Sequence, residues 1–237
     1  MTNSVRLENI EHHDLKYAPR HGQAFGDAVN QVLVLPTEFA EVQREYPILL
    51  RRRDDGSFYA VAILGFDRGE NLYLEGDRWA ADYVPAMHAR GPFSIGLSRG
   101  EGGPEAMIHA DLDDPRLGRD AGEPLFKAHG GNAAMLERVA GILRTIHQGS
   151  ELSPHVFGAF AVEGLIAPAD INITSGGVGG YRITDVFAVS GDALAKLDGA
   201  VLKRLNDAGF LSLAFMAVNS LGNLRRLVEM KTARAAA

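Results

Sequence analysis

A run of aromatic and polar side chains between Glu70 and Phe93 is the part of the chain best suited to recognise a ligand. It contains the only tryptophan, Trp79, and Tyr83 follows four residues later. This spacing places two side chains on the same face of a helical turn. Aromatic rings that carry a polar group can stack on a flat ligand and hydrogen-bond its edge. The alternative is a buried corner of the core, in which backbone groups satisfy the indole and the phenol.

Polar side chains close to these two aromatic residues complete a candidate binding surface. Asn71 supplies an amide, and Arg78 and Arg90 supply positive charge. Tryptophan, tyrosine and arginine are also the residues that dominate the binding energy of protein interfaces. We therefore predict a surface that binds a protein, a peptide or a small molecule through Asn71, Arg78, Trp79, Tyr83, Arg90 and Phe93.

The pattern His109-Ala-Asp111 is the clearest indication of catalysis. On a strand, residues two apart point to the same face, as the first two ligands of a two-histidine, one-carboxylate iron site must. The third ligand would be His129, His147 or His155, but the last two fall on predicted helices, and no arginine follows closely to hold an oxoacid cosubstrate. Because His-x-Asp is a common pattern, an exposed strand is favoured over an iron oxygenase.

The sequence lacks motifs for cofactor binding and for catalysis by a serine or cysteine nucleophile. A phosphate-binding glycine loop requires a helix start after it, whereas a predicted strand follows residues 176–180. No Gly-x-Ser-x-Gly elbow occurs, and the absence of cysteine excludes thiolate chemistry and disulfides. The acidic residues Asp111, Asp113, Asp114 and Glu123 do not have EF-hand spacing. We predict neither a cofactor nor a metal site, and the sequence is compatible with both an enzyme and a binding protein.

Composition and charge narrow the class of protein and of partner. With 237 residues, 46% of them hydrophobic and 23% charged, the chain has the composition of an ordinary soluble globular protein. A formal net charge of −6 argues against nucleic acid as a partner. No apolar segment approaches the roughly 18 residues of a membrane helix, and the N-terminus lacks a signal sequence. We therefore expect a cytoplasmic protein without membrane insertion, either monomeric or oligomeric.

The elements that would position the candidate residues are mainly strands in the first half of the chain. The clearest pair is a hairpin whose turn, Asp54-Asp-Gly56, supplies the positive φ that tight hairpin turns require. A short helix with Phe39, Val42 and Tyr46 on one face precedes that hairpin. The strands predicted in this half comprise residues 29–35, 48–53, 58–65, 92–97 and 106–112.

The second half changes to helical periodicity. Met135, Val139 and Ile146 lie on one apolar stripe, and Ser153-Pro154 has the form of a cap followed by a first-turn proline. Gly209 is expected to end a helix. The helices predicted here comprise residues 132–148, 154–165, 192–208 and 221–228, and the strands comprise residues 165–174, 181–189 and 210–218.

These elements predict an α+β fold, with mostly antiparallel sheet in the N-terminal half and helices plus a few strands in the C-terminal half. The alternation of strand and helix that a doubly wound sheet requires is missing. We predict a single domain over residues 1–237, with a subdomain boundary near residues 113–131, where prolines and glycines accumulate.

The order and spacing of several short motifs resemble a known bacterial family, the SapC-type proteins, over roughly residues 33–227. The motifs that carry the resemblance are Leu35-Pro36 with Glu38-Phe39, Tyr46-Pro47, Gly65, Glu70-Asn-Leu-Tyr73, Trp79, Tyr83-Val-Pro85, Pro92-Phe93, Gly122 with Leu125-Phe126, and Leu205, Gly209-Phe-Leu211 and Ser220-Leu221. They are densest between Tyr46 and Phe93.

The resemblance implies no catalytic residues, and its name implies a component of a surface layer. Three hypotheses about function follow. The first is a binding protein that recognises an unknown partner or ligand through the aromatic surface defined above. The second is an iron-dependent oxygenase that uses His109 and Asp111, and the third is a structural protein of a surface layer.

Overall fold

The computed structural model describes residues 3–100, 103–175 and 178–236. The strands are β1 (Ser4–Arg6), β2 (Lys16–Tyr17), β3 (Gln31–Val34), β4 (Ile48–Arg52), β5 (Phe58–Ile63), β6 (Leu74–Glu75), β7 (Arg78–Trp79), β8 (Phe93–Gly100), β9 (Gly103–Asp111), β10 (Leu117–Gly118), β11 (Glu123–Pro124), β12 (Ile166–Ser175) and β13 (Val178–Val189). The helices are α1 (Phe39–Val42), α2 (Ala86–Ala89), α3 (Ala134–Val162), α4 (Gly191–Ala195), α5 (Gly199–Asp207), α6 (Phe210–Ser220) and α7 (Asn223–Ala236).

The chain forms two compact units. The first unit comprises Met1–Arg20 and Ala86–His147, and the second comprises His21–Pro85 and Gln148–Ala237. Residues 113–131 lie within the first unit, so the predicted single domain with a boundary at that segment stays a prediction. The mixture of helices and antiparallel sheet confirms the predicted α+β class.

The first unit is built on two small antiparallel sheets, with the strand orders β1-β9-β8 and β10-β2-β11. The apolar stripe predicted for helix α3 packs into the hydrophobic core of this unit. Leu136, Val139 and Leu143 of α3 are buried in one cluster with Phe93 and Leu125. This arrangement follows from apolar side chains at helical spacing, which all face the same neighbour.

The second unit is built on a five-stranded antiparallel sheet with the strand order β12-β13-β4-β5-β3. Strand β4 is central, and Ile48, Leu49 and Leu50 are all buried, as expected for a strand covered on both faces. The predicted hairpin is confirmed, because β4 pairs with β5 and Gly56 has φ +84° in the turn. The strands predicted at residues 165–174 and 181–189 are confirmed too and pair antiparallel as β12 and β13, although residues 176 and 177 between them lie outside the described residues.

Two predicted helices are in fact one. The prediction that a new helix begins at Pro154 is wrong, because α3 continues from Ala134 to Val162 with Pro154 inside it. Ser153 does not act as a helix cap; its hydroxyl donates instead to the carbonyl of Gly149 four residues back, at 2.7 Å. A proline in a helix interior removes one backbone bond and is tolerated where tertiary packing outweighs that loss.

A second correction concerns residues 210–218. We predicted a buried strand, but these residues form most of helix α6. Gly209 adopts φ +74° and separates α6 from α5, as the sequence predicted for the helix stop. Only one face of α6 is buried, through Ala214, Ala217 and Ser220, which are three residues apart. A continuous apolar run does not distinguish a strand from such a helix.

Of the described helices, none combines the length and apolarity that crossing a bilayer demands.

Candidate functional site

The only tryptophan lies on a short strand and not on a helical turn. Strands β6 and β7 form an antiparallel ribbon in which Leu74 faces Trp79 and Glu75 faces Arg78. Gly76, with φ +65°, makes the turn between them. The predicted helical face shared by Trp79 and Tyr83 is therefore wrong, because the chain reverses before Trp79 and stays extended through it.

Trp79 is instead the start of a chain of buried and partly buried hydrogen bonds. Its side chain is 6% exposed, and its indole Nε1 donates to the hydroxyl of Tyr46 at 2.7 Å. The Tyr46 hydroxyl donates in turn to the carbonyl of Tyr83. The Tyr83 hydroxyl donates to Oε2 of Glu38 at 2.8 Å. These four side chains, which we call the Trp79 network, join α1 and its flanking residues to the segment that follows β7.

The electrostatics of the Trp79 network keep its phenols neutral. Burial raises the pKa of Tyr46 well above the ordinary value of a phenol, despite the hydrogen bond from Trp79. Burial and the Glu38 carboxylate raise the pKa of Tyr83 in the same direction. Glu38 is itself buried, and its other oxygen accepts a hydrogen bond from the amide of Leu35 at 3.0 Å. Both phenols therefore remain hydrogen-bond donors at neutral pH.

Asn71 shapes the backbone around the ribbon. Its side chain is buried, its amide nitrogen donates to the carbonyl of Asp27 at 2.9 Å, and its amide oxygen accepts from the backbone of Tyr73 at 2.9 Å. Arg234 of α7 donates to the carbonyls of Asn71, Leu72 and Leu74. The Glu70-Asn-Leu-Tyr73 motif is thus held by contacts from two distant parts of the sequence.

A histidine and an aspartate next to the Trp79 ring escaped the sequence analysis. The rings of His21 and Trp79 meet edge to face, with their centroids 5.3 Å apart. Nδ1 of His21 lies 3.2 Å from Oδ2 of the buried Asp27. The two residues are six positions apart in a segment without a strand or an α-helix, so no periodic pattern in the sequence pointed to this pair.

The outer side of residues 74–83 is polar. Arg78 is exposed and forms an ion pair with Glu75 across the ribbon. Asp77 and Asp82 are exposed, and Tyr83 is partly exposed. Arg78 offsets Glu75, and the two aspartates add two exposed negative charges to this segment.

Arg90 and Phe93 belong to the first unit. Phe93 is fully buried, and its ring meets that of Tyr17 edge to face at 5.0 Å. Arg90 is partly exposed and donates to the carbonyl of Phe93 at 2.9 Å. The ligand-binding role of Asn71, Arg78, Trp79, Tyr83, Arg90 and Phe93 stays a prediction. Three described cavities of the second unit, of about 190, 400 and 600 Å³, are lined by other residues.

His109 and Asp111 lie on β9, two residues apart as predicted. The imidazole of His109 lies against Gly96 on the neighbouring strand. Oδ1 of Asp111 accepts bonds from the backbone amides of Asn3 and Asp113. Within residues 3–100, 103–175 and 178–236, no three histidine, aspartate or glutamate side chains gather closely enough to hold a metal ion. The described residues therefore give the predicted iron site no third ligand.

Most of the chain matches a known protein family. The model of the SapC family matches residues 7–227. The chain belongs to the SapC family. Neither a curated protein nor a solved structure matches it. The family match names no activity and no site residue, so the binding role and the surface-layer role of this SapC-family chain both stay predictions.

Proposed function

We propose that this SapC-family protein is a binding protein, and that the outer side of residues 74–83 is its recognition surface for a basic peptide or protein segment. In this proposal the Trp79 network is the support of the surface and not its contact face. Arg78 and Tyr83 would touch the partner, whereas Asn71 and Trp79 would hold the backbone that presents them. Arg90 and Phe93 of the predicted set would play no direct part at this surface.

The observation that carries the proposal is the rigid attachment of Tyr83, which is partly exposed. Tyr83 is fixed by its hydroxyl bond to Glu38 at 2.8 Å, and its backbone amide donates to Glu45 Oε1 at 3.0 Å. Immobilised aromatic side chains make strong contacts because little conformational entropy is lost when a partner binds.

Charge supports a basic partner. Asp77 and Asp82 are exposed beside Tyr83, and the whole chain carries a formal net charge of −6. A cationic segment would be attracted to this side by the field of the protein, and a lysine or arginine could lie over the Tyr83 ring.

Selection from a random peptide display library tests the proposal. The wild type should enrich peptides that are rich in lysine and arginine. The double variant Asp77→Asn/Asp82→Asn should lose that enrichment, because two charges of the surface are removed while its shape is kept. The control variant Asp120→Asn/Asp192→Asn removes two exposed charges elsewhere and should select the same peptides as the wild type. Identical basic peptides from all three proteins would refute the proposed surface.

A further inference from the structure

A second candidate site lies in the second unit, in a cavity of about 400 Å³ between β3, the β4–β5 hairpin and α3. Its inner wall is apolar, because Val34, Leu35 and Ala60 are buried there. Tyr59 is partly exposed beside this wall. The residues that line the cavity are Leu33, Val34, Leu35, Arg53, Asp55, Ser57, Phe58, Tyr59, Ala60, Ser150, Ser153 and Pro154. We call it the Arg53 cavity.

The rim of the Arg53 cavity carries a guanidinium group with free donors. The Arg53 guanidinium lies over the Tyr59 ring, 4.7 Å from its centroid. In the described part of the chain it forms no salt bridge and no side-chain hydrogen bond. Arg51, by contrast, donates to the Gln31 side chain and to the carbonyls of Thr184 and Asp185. A planar guanidinium with unused donors is suited to hold a carboxylate with two parallel bonds.

Acceptor groups for a cation lie on the same rim. The Ser57 hydroxyl, the Ser57 amide, which donates to Oδ1 of Asp55 at 2.8 Å, and the positive charge of Arg53 lower the pKa of the exposed Asp55. Across the cavity, Pro154 has no N–H to donate to the Ser150 carbonyl, which lacks its usual helical partner for this reason. Ser153 already donates to Gly149. This rim thus offers a carboxylate and a carbonyl oxygen.

We propose that the Arg53 cavity binds a free α-amino acid with an apolar side chain. The carboxylate would pair with Arg53, the ammonium group would pair with Asp55 and the Ser150 carbonyl, and the side chain would pack against Val34, Leu35 and Ala60. The opposite charges at the rim match a zwitterion, and the volume lies within the range of small-molecule sites. This inference is independent of the recognition surface at residues 74–83.

Calorimetric titration with phenylalanine and three analogues tests the ligand class. Phenylalanine should bind saturably at one site. N-acetylphenylalanine lacks the ammonium group, phenylalaninamide lacks the carboxylate and glycine lacks the apolar side chain, so each should bind at least about tenfold more weakly. Equal binding of phenylalanine and either charge-deleted analogue, or no saturable binding of phenylalanine, would overturn the proposal.

Paired variants locate the site. Arg53→Gln and Asp55→Asn should each weaken phenylalanine binding about tenfold, whereas their sequence neighbours Arg52→Gln and Asp54→Asn should leave it within about twofold. Arg52 is a strict control because it lines the 600 Å³ cavity and lies over Phe187 instead. Ser150→Trp, an exposed change on the rim, should abolish binding without loss of thermal stability. A loss of binding with Arg52→Gln, or unchanged binding with Arg53→Gln or Ser150→Trp, would refute the assignment.

Discussion

Trp79 and Tyr83 are of the types that are common in binding surfaces, but their polar groups form hydrogen bonds inside the protein. The indole of Trp79 uses its one donor on Tyr46, and the hydroxyl of Tyr83 is used on Glu38. A donor that is already bonded inside the protein is not available to a ligand. At the residue scale, therefore, the exposed Arg78 and the buried Trp79 should respond very differently to substitution.

Trp79→Phe should lower the free energy of unfolding by about 1–3 kcal/mol, because a buried side chain shrinks and the Tyr46 hydroxyl loses its donor. Arg78→Ala should change it by no more than about 0.5 kcal/mol, because its ion pair with Glu75 is exposed. Chemical denaturation of both variants measures the difference. Equal effects from the two substitutions would contradict the supporting role of Trp79.

The raised pKa values of three tyrosines predict a loss of stability in alkali. The pKa values of Tyr46, Tyr73 and Tyr83 are raised in the folded protein, mainly by burial. In the unfolded chain a phenol ionises near pH 10. Stability from these groups is therefore complete below about pH 10 and falls as the pH rises further, since only the unfolded state releases their protons.

Phenolate absorbance measured together with circular dichroism during an alkaline titration tests this point. The absorbance of the Tyr46, Tyr73 and Tyr83 phenolates should appear only as the fold is lost. Tyr83→Phe should reduce that late step by the absorbance of one tyrosine. Ionisation of all six tyrosines near pH 10 in a protein that keeps its folded spectrum would show that the phenols are not buried.

At the scale of elements, helix α3 approaches the segment after β3 through a glycine. A Cβ atom at Gly149 would lie 2.5 Å from Oγ1 of Thr37 and 2.6 Å from Cβ of Leu35, whereas one at Gly158 would have no atom within 4 Å. Gly149→Ala should destabilise the protein by about 1–3 kcal/mol through overpacking. Gly158→Ala, on the same helix, should stabilise it by about 0.5–1 kcal/mol. Thermal unfolding of the two variants separates the effect of packing from that of helix propensity. Similar shifts in melting temperature would contradict the close approach of Gly149 to Leu35 and Thr37.

Helix α7 fixes the segment that precedes Trp79. Arg234 donates to the carbonyls of Asn71, Leu72 and Leu74, and Lys231 pairs with Asp67 and Glu70. Loss of Arg234 should therefore loosen the backbone that leads to the ribbon, at a cost of about 1–3 kcal/mol.

Trp79 fluorescence reports this loosening directly, because the chain has no other indole. In Arg234→Ala, acrylamide should quench Trp79 more strongly than in the wild type. Arg225→Ala is the matched control on the same helix, since the Arg225 side chain is 89% exposed and pairs only with Glu229 among the described contacts. Quenching that is unchanged in Arg234→Ala would show that α7 does not hold this segment.

For the whole molecule, local signals in the sequence predicted the fold better than they predicted the site. The β4–β5 hairpin was found because its turn residues specify it, and the α+β class followed from period changes along the chain. The continuous helix through Pro154 and the helix at residues 210–218 were missed, because tertiary packing decides both. The Trp79 network joins residues 33 to 45 positions apart, and such contacts leave no periodic trace. Membership of the SapC family agrees with the motifs but adds no chemistry to them.

We propose that the outer side of residues 74–83 contacts a partner while the hydrogen bonds of the Trp79 network stay intact beneath it. Backbone amide NMR of the wild-type protein during titration with a selected basic peptide tests it most directly. The largest shift changes should fall on Glu75, Asp77, Arg78, Asp82 and Tyr83, while the buried Trp79 indole signal moves little. Large changes confined to other elements, with residues 74–83 unaffected, would contradict the claim.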